Sequence, residues 1–140
     1  MSESISTKLV HLEGYKFKVG FDTDGIPSLV VDEMKPIGEG FGPNPTRLLS
    51  TAIGHCLSSS LLYCLSKAKI KVKKLETTVT TSIERNKEGY LRIVGLDVQI
   101  QLEVNEENRP RVSRCLDIFE NYCTVTQSVR SGIEVKVEVL

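Results

Sequence analysis

The feature that most constrains the fold is one long helical pattern in the middle of the chain. Between residues 45 and 69, apolar and small side chains recur at spacings of three and four, which predicts an α-helix. The stripe consists of Leu49, Ala52, Ile53, Cys56, Ser60, Leu61, Cys64, Leu65 and Ala68. The opposite side carries Ser, Thr and Gly rather than charges. We therefore expect a central helix that is enclosed all round, with a subunit interface as one surface that could cover it.

A loop leads into this helix. Residues 38–45 read Gly-Glu-Gly-Phe-Gly-Pro-Asn-Pro, and this density of glycine and proline is incompatible with a regular helix or strand. Asn44 is a typical N-cap residue, and Pro45 fits the first helical position, where its missing N–H has no partner to lose. The sequence thus predicts both the loop and the start of the helix.

Short alternating segments on both sides of the helix predict antiparallel strands. Residues 6–33 alternate in three runs, separated by turns at Glu13-Gly14 and at residues 22–25, which indicates a meander. Residues 75–83 and 96–104 alternate around a turn at 86–89, which indicates a hairpin, with Gly95 as a candidate bulge. Strands this long in a small chain imply a strongly curved sheet.

The C-terminal third predicts a second helix that is interrupted. An apolar stripe begins after Asn105, breaks near Tyr122 and resumes until Gly132. Val135, Val137 and Val139 then alternate, which predicts a closing strand. Three strands, a helix, two strands, a helix and a strand make an α+β fold, in which we expect one domain spanning residues 1–140.

Composition excludes several classes of function. Eighteen Lys and Arg balance 18 Asp and Glu, so we expect no nucleic-acid partner that depends on bulk positive charge. We find no apolar run of membrane-spanning length and no apolar signal core, so we expect no membrane association and a cytoplasmic location. The four cysteines contain no C-x-x-C spacing, so we expect no ribbon or finger zinc site.

The spacing of the cysteines limits how they can pair. Cys56 and Cys64 are eight residues apart, as are Cys115 and Cys123, and eight helical residues rise about 12 Å. This distance exceeds the reach of a disulfide, so any bridge must join the two helices. If the helices are antiparallel, one register brings Cys56 near Cys123 and also Cys64 near Cys115, because both pairs of residue numbers have the same sum.

Spacing alone leaves two interpretations of the thiols open, namely a redox pair and four small buried side chains. We interpret Cys64 and Cys115, in the middles of apolar stripes, as core residues. Cys56 lies among small residues that a ligand or second subunit could approach. Cys123 precedes a possible helix restart, whose free N–H groups would stabilise its thiolate.

At these residues the chain resembles the OsmC/Ohr family, the osmotically induced protein C and organic hydroperoxide resistance proteins. The family has a Gly-x-Asn-Pro loop that enters a long helix, with a cysteine about eleven residues beyond the proline; here residues 42–45 lead to Cys56. It has a second cysteine before a segment rich in hydroxyl and amide groups, and here Cys123 precedes Thr-Val-Thr-Gln-Ser. The order of helices and strands also agrees over nearly the whole chain.

The resemblance implies an intertwined homodimer with curved antiparallel sheets around the central helices. It also implies thiol-dependent reduction of hydroperoxides, in which Cys56 is the peroxidatic and Cys123 the resolving cysteine, and which needs no metal or organic cofactor. The expected partners are a second copy of the chain, a small hydroperoxide substrate and a dithiol reductant. Apolar surroundings would favour organic hydroperoxides over hydrogen peroxide.

Two positions depart from the family pattern. Peroxidase members carry a Glu directly after Asn-Pro, paired with an Arg from the N-terminal strands, whereas this chain has Thr46 and no Arg before Arg47. Lys16, Lys18, His11 or Arg47 are the candidates to replace the missing cation. Without any cation, we expect burial to raise the pKa of Cys56 and to slow its reaction.

These departures keep two other functions open. A non-peroxidase member of the same fold would bind a small ligand between helix and sheet, or would sense oxidants through a disulfide. A structural dimer with inert thiols is the third hypothesis. His55 neighbours Cys56, but adjacent helical residues do not face each other, so we interpret it as an interface residue rather than a base.

Overall fold

The computed structural model describes residues 2–140, and its helices and strands have the predicted α+β order. The elements are β1 (Thr7–His11), β2 (Phe17–Phe21), β3 (Leu29–Val31), α1 (Pro45–Lys67), β4 (Val72–Arg85), β5 (Leu91–Val104), α2 (Arg109–Ile118) and α3 (Thr124–Ser131). Short 3₁₀ turns at Glu106–Asn108 and Phe119–Tyr122 precede α2 and α3. Contacts divide the chain into two compact units, Met1–Leu49 and Ser50–Leu140.

The first unit is the predicted meander. Strand β2 pairs with β1 and with β3, both antiparallel, in the order β1-β2-β3. Val19 on β2 and Val31 on β3 are buried, which gives this small sheet its apolar contacts. The hairpin turn after β1 includes Gly14, whose φ of +54° is one that glycine adopts without a steric penalty.

The loop after β3 is organised by one buried carboxylate. Asp32 is 2% exposed, and its oxygens accept hydrogen bonds from the backbone N–H groups of Glu33, Glu39 and Phe41 at 2.8, 3.2 and 3.1 Å. Burial acts to raise the pKa of Asp32, but these three N–H donors, with a smaller contribution from Lys16, lower it overall. The loop therefore wraps around an ionised side chain.

Helix α1 begins as the sequence predicts. The Arg47 N–H donates to Asn44 Oδ1 at 3.0 Å, which is the N-cap hydrogen bond. In the second unit, the helix buries Ile53, Leu57, Leu61 and Leu65, while Leu62 remains 43% exposed. A single chain thus does not enclose α1 all round, and the homodimer stays a prediction.

By length and composition, α1 could also cross a membrane. This differs from the sequence expectation, because the serines and threonines within the helix interrupt its apolar runs without making it strongly polar. The four buried apolar side chains of α1 belong to the core of the second unit. Core helices of soluble proteins share this length and composition, so the property identifies no membrane segment by itself.

The second unit is built on the predicted hairpin. Strands β4 and β5 each have 14 residues, and the register shifts between Ser82 and Ile83 opposite Gly95, where the bulge was expected. Helix α1 lies very close to β4 at Gly54, because a Cβ added there would be 2.8 Å from a methyl carbon of Val79. Ser58 and Thr77 share a 2.5 Å hydrogen bond at the same contact.

Helix α2 is joined to α1 by a disulfide between Cys64 and Cys115. The interpretation of these two residues as unbonded core thiols was therefore wrong. Their apolar stripes do face each other, as that interpretation required, but the antiparallel register also brings their Cα atoms to 5.7 Å, within the normal disulfide range. Apolar patterning cannot distinguish a buried thiol from half of a disulfide.

The predicted closing strand is not formed within the chain. Residues 132–140 lie in no helix or strand, and the side chain of Val137 is 83% exposed. The alternation of valines is a genuine strand pattern, but a strand also requires a neighbour to complete its backbone hydrogen bonds. Among the described residues, no strand pairs with this segment.

Candidate active site

The second unit brings Cys56 and Cys123 together. Cys56 lies in the middle of α1 and is half-buried, whereas Cys123 follows the 3₁₀ turn after α2 and is 0% exposed. The two thiols lie close enough to interact, because each contributes to the pKa shift of the other. The antiparallel register that forms the Cys64–Cys115 disulfide also places this pair, two helical turns further along α1 towards its N-terminus.

The start of α3 faces the sulfur of Cys56. Cys123 is the N-cap residue of α3 and has extended backbone angles, so the chain turns sharply there before the helix begins. The first N–H groups of a helix have no partner within it. Here the N–H groups of Thr124, Val125 and Thr126 donate to Cys56 Sγ. Three backbone amides and the neighbouring Cys123 side chain thus lower the pKa of one sulfur.

The same contacts separate the pKa values of the two thiols. For Cys56, burial raises the pKa, but the Cys123 thiol and the three amides outweigh burial and lower it overall. For Cys123, burial and the hydrogen bond to Cys56 raise the pKa. Cys123 Sγ also lies 2.9 Å from Thr126 Oγ1. Cys56 is therefore the thiol of the pair that ionises more readily.

This arrangement corrects two expectations. The helix restart exists, but its N–H groups lower the pKa of Cys56 overall, whereas the pKa of Cys123 is raised although the Thr126 N–H acts to lower it. We expected that burial without a nearby cation would raise the pKa of Cys56. Instead its pKa is lowered, and no basic side chain is among the causes. The helix break after Tyr122 is the sequence feature that indicated free N–H groups at this point. Which cysteine those N–H groups stabilise depends on how α1 packs against α3.

A largely apolar cavity lies near the thiol pair, although neither cysteine belongs to its lining. It has a volume of about 420 Å³, and Thr126, whose N–H reaches Cys56, is part of its wall. Apolar side chains from α1, β5 and the turn before α3 make up most of the lining: Ile53, Leu57, Leu96, Val98, Ile100 and Phe119. The remaining wall includes Glu120 and Arg130, which form an ion pair at 2.8 Å.

The other candidate site residues belong to the first unit, except His55. Lys16 is paired with Glu39 and lies 3.7 Å from Glu13. His11 on β1 contacts the carbonyl of Gly14 at 2.8 Å. The Arg47 guanidinium donates to Asn44 Oδ1 at 3.2 Å.

Thr46 is half-buried in the first turn of α1. Lys18 is exposed on β2. His55 is exposed and lines a different cavity, of about 490 Å³, between α1 and β4. Within residues 2–140, no cluster of three His, Cys, Asp or Glu side chains could hold a metal ion.

The family profile of OsmC-like proteins matches residues 38–138. The chain belongs to the OsmC-like family. The match covers the glycine-rich loop, α1 with Cys56, the hairpin and the segment with Cys123. No curated protein matches the chain in sequence. The resemblance inferred from the two cysteine motifs is therefore confirmed over most of the chain.

Solved structures confirm the OsmC-like fold. An OsmC-like protein from Mycoplasma pneumoniae is 16% identical, with a TM-score of 0.76 over 100% of this chain and 96% of that one. An organic hydroperoxide resistance protein OsmC from Legionella pneumophila is 20% identical, with a TM-score of 0.66 over 96% and 94%. An organic hydroperoxide resistance protein from Vibrio cholerae, with captopril bound in one active site, is 24% identical, with a TM-score of 0.64 over 98% and 92%.

Cys56 and Cys123 of this OsmC-like chain should be alkylated with different pH dependences. We expect iodoacetamide to alkylate Cys56 with a midpoint below the ordinary thiol pKa of 9.0 and Cys123 with a midpoint above it, because only the thiolate reacts. Peptide mass spectrometry reads each site separately. In Cys123→Ala, the Cys56 midpoint should rise, because one of its donors is lost. A Cys56 midpoint equal to that of the urea-unfolded protein would contradict the geometry.

Proposed function

We propose that the protein reduces organic hydroperoxides with Cys56 as the nucleophile and Cys123 as the resolving thiol. The observation that carries this proposal is the set of N–H groups at the start of α3, which stabilises a thiolate at Cys56 directly beside a second thiol. A thiolate attacks peroxides, whereas a protonated thiol is a poor nucleophile. A neighbouring neutral thiol can then capture the oxidised sulfur.

In the first step, the Cys56 thiolate attacks the terminal oxygen of the hydroperoxide. An S–O bond forms, the O–O bond breaks, and the departing alkoxide takes a proton and leaves as an alcohol. The sulfur loses two electrons to the peroxide and becomes a sulfenic acid. The donors around Cys56 hold the sulfur in its ionised form before this attack, and the reaction requires no metal or organic group.

In the second step, the Cys123 thiol condenses with the sulfenic acid. A disulfide forms between the two residues and water is released. A dithiol reductant then returns both thiols by two exchange reactions and leaves as its own disulfide. Over one cycle, a hydroperoxide and a dithiol become an alcohol, water and a disulfide, so atoms and electrons balance.

The apolar cavity favours an organic substrate. Its lining of Ile, Leu, Val and Phe side chains buries an alkyl group without leaving polar atoms unpaired, and hydrogen peroxide has no group to occupy it. Burial of each methylene is worth about 0.8 kcal/mol. We therefore propose alkyl or fatty-acyl hydroperoxides as the preferred substrate class.

The backbone N–H groups of α3 offer a substitute for the Glu that the family pattern has at the position of Thr46. In the family pattern, a Glu paired with an Arg stabilises the peroxidatic thiolate. Here the backbone supplies hydrogen-bond donors to Cys56 that depend on no side-chain charge. The proposed peroxidase activity therefore does not require the absent pair, although the substrate loses whatever contacts that pair would make.

The test is to follow the two thiols while organic hydroperoxide is added. Cumene hydroperoxide should remove two thiols per chain, and peptide mapping should find a Cys56–Cys123 bridge, because the second sulfur is already in contact with the first. A dithiol should restore both thiols and sustain peroxide consumption. Failure of the wild-type protein to react with organic hydroperoxides would reject the proposal. Bridge formation without sustained consumption would favour the redox-sensor alternative, for which Thr46 is the motivating departure.

A further inference from the structure

A second cavity in the same unit lies beside the Cys64–Cys115 disulfide. It has a volume of about 340 Å³ and lies between the C-terminal end of α1 and helix α2. Besides the two cysteines, its walls consist of Lys67, Ala68, Arg111, Arg114 and Ile118. This cavity shares no lining residue with the apolar cavity near Cys56. The disulfide therefore lines a cavity that is separate from the one near Cys56.

Basic side chains from α1 and α2 line this cavity, whose wall is otherwise largely apolar. Three of its lining side chains are cations, and no acidic side chain belongs to the lining in residues 2–140. Arg111 is held in place because its guanidinium donates to the Ala68 carbonyl and, at 3.1 Å, to Asn108 Oδ1. Lys67 lies 5.4 Å from the ring centre of Tyr63. Positive charge is thus arranged around a disulfide, where an anion would be attracted.

We propose that this cavity binds a small anionic thiol and that the Cys64–Cys115 disulfide is a second redox centre, which that thiol reduces. The ligand class is a thiol bearing a carboxylate, sulfonate or phosphate group. Its anionic group pairs with the cations, while its thiolate reaches the disulfide. This centre is separate in position and in substrate from the proposed peroxidase pair.

Exposure indicates which sulfur is attacked. Cys64 is half-buried, whereas Cys115 is only 2% exposed, so the incoming thiolate attacks Cys64 Sγ. An S–S bond to the ligand forms, the Cys64–Cys115 bond breaks, and the electron pair goes to Cys115 as a thiolate. Arg111 and Arg114 line the same cavity, and cations stabilise a thiolate leaving group.

A second ligand molecule completes the exchange. It attacks the mixed disulfide at the ligand sulfur, and Cys64 leaves as a thiolate. Two ligand thiols become one ligand disulfide, and the protein gains two thiols after protonation. The two electrons that reduce the protein come from the ligand pair, so no other reductant is needed.

A charge series of simple thiols tests this proposal. Full-length protein is treated with 2-mercaptoethanesulfonate, 2-mercaptoethanol or cysteamine, and the newly alkylated Cys64 and Cys115 are quantified by peptide mass spectrometry. Rates are compared at equal thiolate concentration and corrected for thiol basicity. We expect the sulfonate to react about tenfold faster than the neutral thiol at low salt, and the cationic thiol to react slowest. Added salt should reduce these differences.

Two variants of helix α2 provide the matched comparison. Arg114→Gln removes a cation from the cavity wall, and Arg109→Gln removes the same charge from the first residue of the same helix, outside the wall. We expect Arg114→Gln to slow the sulfonate about threefold or more while leaving the neutral thiol unchanged, and Arg109→Gln to leave both unchanged. Thermal unfolding confirms that both variants are folded.

Three results would overturn the proposal: equal corrected rates for the three thiols, equal behaviour of the two arginine variants, or a disulfide that resists all three thiols in the folded protein. The same measurement in Cys56→Ser separates this proposal from the peroxidase cycle. Reduction of Cys64–Cys115 should be unchanged there, even though that variant lacks the proposed nucleophile for hydroperoxides.

Discussion

Cys56→Ser should lower the turnover of organic hydroperoxide at least about a thousandfold. A serine hydroxyl is not ionised by the donors that stabilise a thiolate, so the attacking atom is lost while the cavity and the α3 amides remain. Peroxide consumption with an excess of dithiol measures the effect. It is the largest functional change that the proposed mechanism predicts.

The double variant Cys64→Ser/Cys115→Ser is the matched control. It removes two sulfurs and a disulfide from the same pair of helices, two turns away from Cys56, without touching the proposed nucleophile. We expect lower stability, because the disulfide closes a loop of 51 residues, but turnover within a few-fold of wild type at a temperature where the variant is folded. Equal losses in both variants would contradict the assignment of Cys56.

Cys123→Ser distinguishes the two sulfurs of the pair. Cys56 should still consume one equivalent of hydroperoxide, but no protein thiol is then available to condense with the product. The sulfenic acid should accumulate and be trapped by dimedone. Formation of a new intramolecular disulfide that includes Cys56 would show that another cysteine resolves it.

Gly42→Ala should destabilise the protein by about 3 kcal/mol or more, because it forces atoms into a tightly packed position. A Cβ at residue 42 would lie 2.1 Å from the backbone oxygen of Val30. Backbone atoms of a strand cannot move away as a flexible side chain can, so the loop or the sheet edge must shift. Urea unfolding measures the loss of free energy.

Gly20→Ala is the control within the same unit. Strand β2 contains Gly20, and a Cβ there would approach only the Lys8 oxygen, at 4.0 Å, which is an ordinary contact. We expect its free energy of unfolding to change by about 1 kcal/mol or less. Similar unfolding midpoints for the two alanine variants would show that the close approach at Gly42 does not constrain the loop.

The glycine-rich loop illustrates how much of the fold the sequence predicts. Glycines and prolines at 38–45 exclude regular structure, and Asn44 followed by Pro45 marks the helix start, as observed. These features are local, because they depend on backbone angles and on hydrogen bonds between near neighbours. The role of Asp32 in the same loop was not predicted, since its donors at Glu39 and Phe41 become neighbours only when the chain folds back.

The C-terminal valines and the Cys64–Cys115 pair show where reasoning from local sequence patterns fails. Val135 and its alternating neighbours have the period of a strand, but the structure leaves them unpaired within the chain. The period describes which faces a strand would present and says nothing about the availability of a partner. Cys64 and Cys115 show the same limit, because their apolar stripes predicted burial but not the bond between them.

The sequence by itself determined the α+β class, the long helix and the interrupted second helix, and it showed that an antiparallel register would place Cys56 with Cys123. These follow from periodicities, turn residues and equal spacings, all of which are properties of neighbours along the chain. Only the tertiary structure decided which sulfur ionises. The direction of the α3 N–H groups towards Cys56 depends on how two distant helices pack, and electrostatic stabilisation falls off too steeply with distance for sequence spacing to reveal it.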